Sequence, residues 1–176
     1  MKATQGKIIL TAMAISLPLA VHASDSHYVP GFEGIKGSVA PPPGIYYKGY
    51  VINYSADKNE SLPSDSEVNV AALANRVVWV TQQKILGGDL ILEGIIPLVN
   101  TDLKIGGQDI DRRTGLGDLY VGSVLGWHDS RWDAVEGIGY WADTGDFDKS
   151  RLSSPGKGYD SVMLTLGGNV KLTKQG

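Results

Sequence analysis

Asp143-Thr144-Gly145 is the first place where residue type and spacing could do chemistry. In aspartic proteases such a tripeptide presents one of two carboxylates that share a proton. Here Asp146 follows at once and Asp148 two residues later, so the carboxylates gather in an acidic stretch, and turn chemistry accounts for the segment. Gly115 and Gly117 echo a dinucleotide loop, yet they follow Arg112-Arg113-Thr114 rather than a strand and open no helix. His27 and His128 are the histidines after residue 23, and neither has a second ligand at metal spacing. A Ser-His-Asp relay is compatible with the composition, but no G-x-S-x-G elbow is present. With no Cys there is no thiol nucleophile, Cys-ligated zinc or disulfide framework. These residues assign no catalytic, metal or cofactor site, and a hydrolase built on Asp143 is the most distant of the readings weighed below.

The elements that would position such residues belong to one domain. The 176 residues are 42% apolar and 20% charged, enough for a core and too few to expect two. A net charge of -3 offers no basic surplus for nucleic acid. Lys2 and Lys7 precede an apolar run from Ile8 to Val21, interrupted only by Thr11, Ser16 and Pro18 and followed by His22-Ala23. This predicts a secretory signal peptide over 1–23, too short for a membrane helix and without a lipoprotein cysteine. Removing Lys2 and Lys7 leaves 14 basic against 19 acidic residues, a net charge of -5. No later segment is apolar enough to cross a bilayer as a helix, so the exported chain is either soluble or a β-barrel.

Residues 24–44 read as an extended lead-in ending in Pro41-Pro42-Pro43-Gly44. Beyond it period-two alternation dominates, and the region 45–176 is predicted all-β with about six strands. Strands are expected at 45–54, 68–82, 89–98, 117–128, 131–142 and 160–172. Leu90, Leu92, Ile96 and Leu98 share one face, as do Leu119, Val121, Leu125 and Trp127, and as do Val162, Leu164, Leu166, Val170 and Leu172. The links read alternately long (55–67, 99–115, 143–159) and short (83–87, 129–131). An antiparallel up-and-down outer-membrane barrel predicts that alternation, with strands of about 9–11 residues. Tyr46, Tyr47, Trp127, Trp132, Trp141 and Tyr159 lie near strand ends, where interfacial girdles form, although ordinary strand aromatics would read the same way.

Several blocks resemble the family of proteins of the meta-pathway of phenol degradation. They are His27-Tyr28-Val29-Pro30-Gly31, Pro41 to Tyr46, Gly87-Gly88 with Pro97, Gly115 to Gly122, Leu125-Gly126-Trp127-His128, and Pro155-Gly156-Lys157-Gly158-Tyr159. The resemblance implies an outer-membrane barrel linked to uptake of hydrophobic, often aromatic, compounds. Two departures stand out: the family tends to have Pro-Thr-Gly where this chain has Asp143-Thr144-Gly145, and it runs further than Gly176.

The sequence therefore predicts a partial barrel in the outer membrane that transports small hydrophobic or aromatic compounds, without cofactor or catalysis. The lumen is expected to be lined by Asp89, Glu93, Asp118, Tyr120, Met163, Thr165, Asn169 and Lys171, none of which could hold a polyanion tightly. Its expected contacts are outer-membrane lipid and the substrate. The rival is a soluble periplasmic β-sandwich that binds a ligand. An incomplete barrel is expected because single-chain barrels start at about eight strands, leaving two exposed edges.

Overall fold

A computed structural model describes residues 26–29, 31–34, 37–57 and 63–172. The signal-peptide expectation falls outside these residues. All regular structure among them is β: β1 (Gly44–Ala56), β2 (Glu67–Ile85), β3 (Gly88–Ile105), β4 (Gln108–Leu116), β5 (Leu119–His128), β6 (Trp132–Ala142) and β7 (Ser161–Val170). They form one antiparallel sheet in the order β1-β2-β3-β5-β6-β7, with β4 also paired to β3. Among the described residues no pairing joins β1 to β7, so the sheet is open, consistent with an arc of a barrel.

All six expected strands are present, and a seventh segment, β4, joins them. β4 and β5 run in the same direction along one edge of β3, pairing its Leu98–Ile105 and Asp89–Ile95 segments respectively. Leu98 faces Leu116 and Ile95 faces Tyr120, so three steps on β3 match four on its partner. Together β4 and β5 are one long strand broken by an extra residue at Gly117-Asp118, the geometry of a bulge.

The segment 99–115, expected as a loop, instead continues β3 and turns back as β4. Gly106 and Gly107 make the turn with φ of 59° and 77°. A two-residue hairpin needs positive φ at both central positions, which glycine supplies at no steric cost. At the opposite rim Leu86-Gly87 does the same, with φ of 51° and 80°. Long connections and the β3–β4 hairpin thus gather at one rim, here the upper, and the tight turns at 86–87 and 129–131 at the lower.

Buried Ala74, Val80, Ile91, Tyr120, Val135 and Trp141 all lie on one side of the sheet, the inner face. Residues 26–29, 31–34 and 37–43 cover it. His27 meets Asp118 and Ser161 at the upper rim, and Glu33 meets Arg76 midway. A Cβ on Gly167 would lie 3.5 Å from Ser38 Cβ, and one on Gly126 would lie 3.6 Å from Ala40 Cβ, near the lower rim. The lead-in therefore runs from rim to rim along the inner face.

The other face is apolar and open. Val51, Leu73, Val77, Leu92, Ile96, Leu98, Val121, Ile138, Val162, Leu164 and Leu166 are all exposed on it, with Leu164 at 79% and Leu166 at 87%. Glu136 is the charged exception on β6, paired between Leu125 and Leu166. Above Leu98 the same face turns polar at Asn100, Asp102 and Lys104 and, on β4, at Arg112 and Thr114. Tyr47 and Trp132 are exposed on the open side, as the girdle reading expects. Tyr46 and Trp141 correct it by pointing inward, and Tyr159 packs against His27.

Tyr120 explains two glycines of the inner face. Its ring lies over Gly122 and Gly139, cross-strand partners whose Cβ positions its ring or hydroxyl would fill. Gly139→Val is expected to displace the ring and destabilise by ~1–3 kcal/mol, the usual cost of overpacking. Gly168→Ala, whose Cβ would meet only Asp133 O at 3.4 Å, is expected to be near neutral. Urea midpoints of the two variants in the same micelle check this.

Candidate functional site

Among the described residues, two polar clusters of the inner face engage the lead-in. The upper one centres on Asp118, 3% exposed in the break between β4 and β5. The extra residue there removes Asp118 from the ladder, and its carboxylate takes up N–H groups that no strand satisfies. Oδ1 accepts from Thr144 N at 3.2 Å and Gly145 N at 2.9 Å. Oδ2 accepts from Lys157 N at 2.7 Å and His27 Nε2 at 3.0 Å. Because a carboxylate only accepts, Nε2 carries a proton, and Nδ1 lies 2.9 Å from Ser161 Oγ. Trp141 stacks on the imidazole at 5.3 Å between centroids, and Tyr159 meets it edge-on at 4.7 Å.

Ser161, His27 and Asp118 thus have the connectivity of a nucleophile-base-carboxylate relay. The His27 side chain is only 4% exposed, however, and Asp118 is shared among three backbone donors. The cluster ties together four separate segments: the lead-in, the strand break, the 143–160 connection and the start of β7. Asp143-Thr144-Gly145 is part of this clamp. Thr144 Oγ1 accepts from Leu119 N at 3.0 Å, and a Cβ on Gly145 would come within 2.8 Å of Gly117 C and Gly156 Cα. Only glycine permits that approach. Asp143 is exposed, and its N–H donates to Asp160 Oδ1 at 2.8 Å, which with Tyr140 holds the Asp160 carboxyl below the usual carboxylate range.

The middle cluster centres on Arg76 of β2. Its Nε donates to Glu93 Oε2 at 3.2 Å and its Nη2 to the same oxygen, forming one edge of the guanidinium fork. Nη1 donates to Glu33 of the lead-in and to Tyr50 OH at 3.1 Å. Tyr120 OH donates to Glu93 Oε1 at 2.8 Å. Lys48 Nζ lies 4.0 Å from Glu33 Oε2 and 4.9 Å from the Tyr50 ring centroid. Phe32 packs on Tyr50 with centroids 3.9 Å apart.

The residues expected to line a lumen divide among these places. Glu93 and Tyr120 meet in the middle cluster, while Asp118 lies off the strand and is committed to the upper one. Met163, Thr165 and Asn169 alternate inward along β7, half-buried. Asp89 binds Lys84 at 2.7 Å near the lower rim. Lys171 lies just past β7 and approaches Asp133 at 3.6 Å, beside His128 Nδ1, which is 2.9 Å from Asp133 Oδ1. Among the described residues, no group of His, Asp and Glu is placed to hold a metal ion. Arg76, Glu33 and His27 escape the sequence reading, since each owes its role to a partner distant in the chain. Arg76 alone leaves a trace, as a cation beside Val77-Val78 in an otherwise apolar run.

Fold and site together define an all-β protein: one up-and-down antiparallel sheet, apolar on its open face, with a mixed inner face that carries polar clusters and is covered by the described residues of its N-terminal segment. Residues 52–176 match the model of the family described as "Putative MetA-pathway of phenol degradation", more than half of the chain, and the chain belongs to that family. A search of curated proteins and a search of solved structures each give no match. Blocks that carry the resemblance converge at the upper cluster, since His27, Asp118 and Lys157 come from three of them.

Proposed function

We propose that this chain is a non-enzymatic β-barrel protein of the outer membrane that lets small hydrophobic or aromatic compounds cross without energy input. The observation that carries the reading is a contiguous apolar face left open while the charged and hydrogen-bonded side chains gather on the opposite face, among Ala74, Val80, Ile91 and Val135. Soluble proteins rarely expose contiguous apolar patches beyond a few hundred Å², whereas lipid covers such a face in a barrel. The belt on β3 runs from Leu90 to Leu98, a length that falls within the ~9–11 residues of a tilted transmembrane strand. A soluble sandwich would need a second sheet on this face, and the described residues form one sheet. The enclosed His27 serves in this reading as a fastener rather than a base.

Such a barrel gives apolar solutes a walled route past the outer leaflet, and family membership links that route to phenol degradation. A strain lacking the protein is expected to grow more slowly on a limiting aromatic hydrocarbon and normally once its outer membrane is permeabilised. Growth that stays slow after permeabilisation would overturn passage through the membrane as the role.

A further inference from the structure

Phe32 and Glu33 place, on adjacent residues of the lead-in, an aryl ring against Tyr50 and a carboxylate against Arg76 and Lys48. The sheet supplies the complementary groups. Glu93 is already engaged by two nitrogens of Arg76 and by Tyr120 OH. The remaining Nη1 of Arg76, with Lys48 and Tyr50, addresses the lead-in alone. Without Glu33 the inner face here carries two cations, Arg76 and Lys48, against the single carboxylate of Glu93. A partly buried guanidinium, with its side chain 14% exposed, needs a replacement anion.

We infer that the place filled by Phe32 and Glu33 is a binding site for an aromatic carboxylate anion, which takes over their contacts when the lead-in withdraws. The ring would stack on Tyr50 and the carboxylate would accept from Arg76 Nη1 and Lys48 Nζ. One unit of uncompensated positive charge suits a monoanion, and Glu93 beside it repels a dianion such as a phosphate monoester. A neutral aromatic would fill the ring's place but leave the cations unpaired. The inference rests on the transport reading and names a substrate class for it.

Equilibrium dialysis of labelled benzoate against the full chain in detergent micelles tests it, with labelled toluene as the neutral probe. Glu33→Gln removes the competing carboxylate and is expected to tighten benzoate binding about tenfold, the scale of one charge-assisted hydrogen bond. Lys48→Gln, at a half-exposed side chain whose loss the fold tolerates, is expected to weaken it several-fold. Toluene meets neither cation's charge, so it reports how far each change merely loosens the lead-in, and the change in benzoate affinity is expected to exceed the change in toluene affinity in both variants. Unchanged benzoate affinity in both variants overturns the site while leaving passage of neutral aromatics intact. Proteoliposomes that pass neither probe faster than empty vesicles overturn the transport reading itself, and the inferred site falls with it.

Discussion

Asp118→Ala is expected to cost about 3–5 kcal/mol of stability, the range found when one partner of a buried charged network is removed. The size follows from what is left behind. Gly145 N and Lys157 N lose their acceptor, Thr144 N is left with Ala142 O alone, and His27 Nε2 loses its carboxylate. Asp118→Asn keeps one acceptor oxygen and should cost less. Asp109→Ala, at a side chain 84% exposed, should cost almost nothing. Urea unfolding followed by tryptophan fluorescence measures all three, because Trp141 stacks on His27 and reports the cluster. Equal midpoints for Asp118→Ala and Asp109→Ala would show that the clamp holds nothing.

The second large effect separates the two faces of β7. Leu164→Arg puts a charge on the open face and is expected to lose ~2–4 kcal/mol of membrane insertion, the mid-bilayer cost for Arg or Lys in a barrel. Thr165→Arg, one residue on, points to the inner face, where polar groups already gather, and should be milder. Insertion into lipid vesicles, read by protease protection, compares them. Equal losses would mean that the open face does not meet lipid.

Alternation made most of the sheet legible before any coordinates. Val162 to Val170 read correctly because each outward residue is apolar and each inward one is small, polar or soft. The β3–β4 hairpin escaped because Asp109, Asp111, Arg112 and Arg113 give it no apolar face. Its real signal was Gly106-Gly107, a hairpin turn between two polar strands. The break at Gly117-Asp118 also left a trace: Leu116 and Leu119 both face outward although an odd spacing separates them. A strict period of two would put them on opposite faces, so the slip in phase marks the extra residue. Neither polar cluster could be read in the same way. Their members are joined across 91 residues in one case and 43 in the other, and local pattern carries no information at that range.

Those separations set an order of events for the chain. The turns at 86–87, 106–107 and 129–131 each join neighbouring strands, so their hairpins form from nearby residues. His27 must find Asp118 across 91 residues and Ser161 across 134, closures whose entropic cost comes before any contact offsets it. The first of the described segments to be synthesised is therefore the last of them to be secured, waiting on the first residue of β7. The Asp118 clamp acts as a checkpoint on assembly: the lead-in is fastened at the upper rim only when β5, β6 and β7 are already paired.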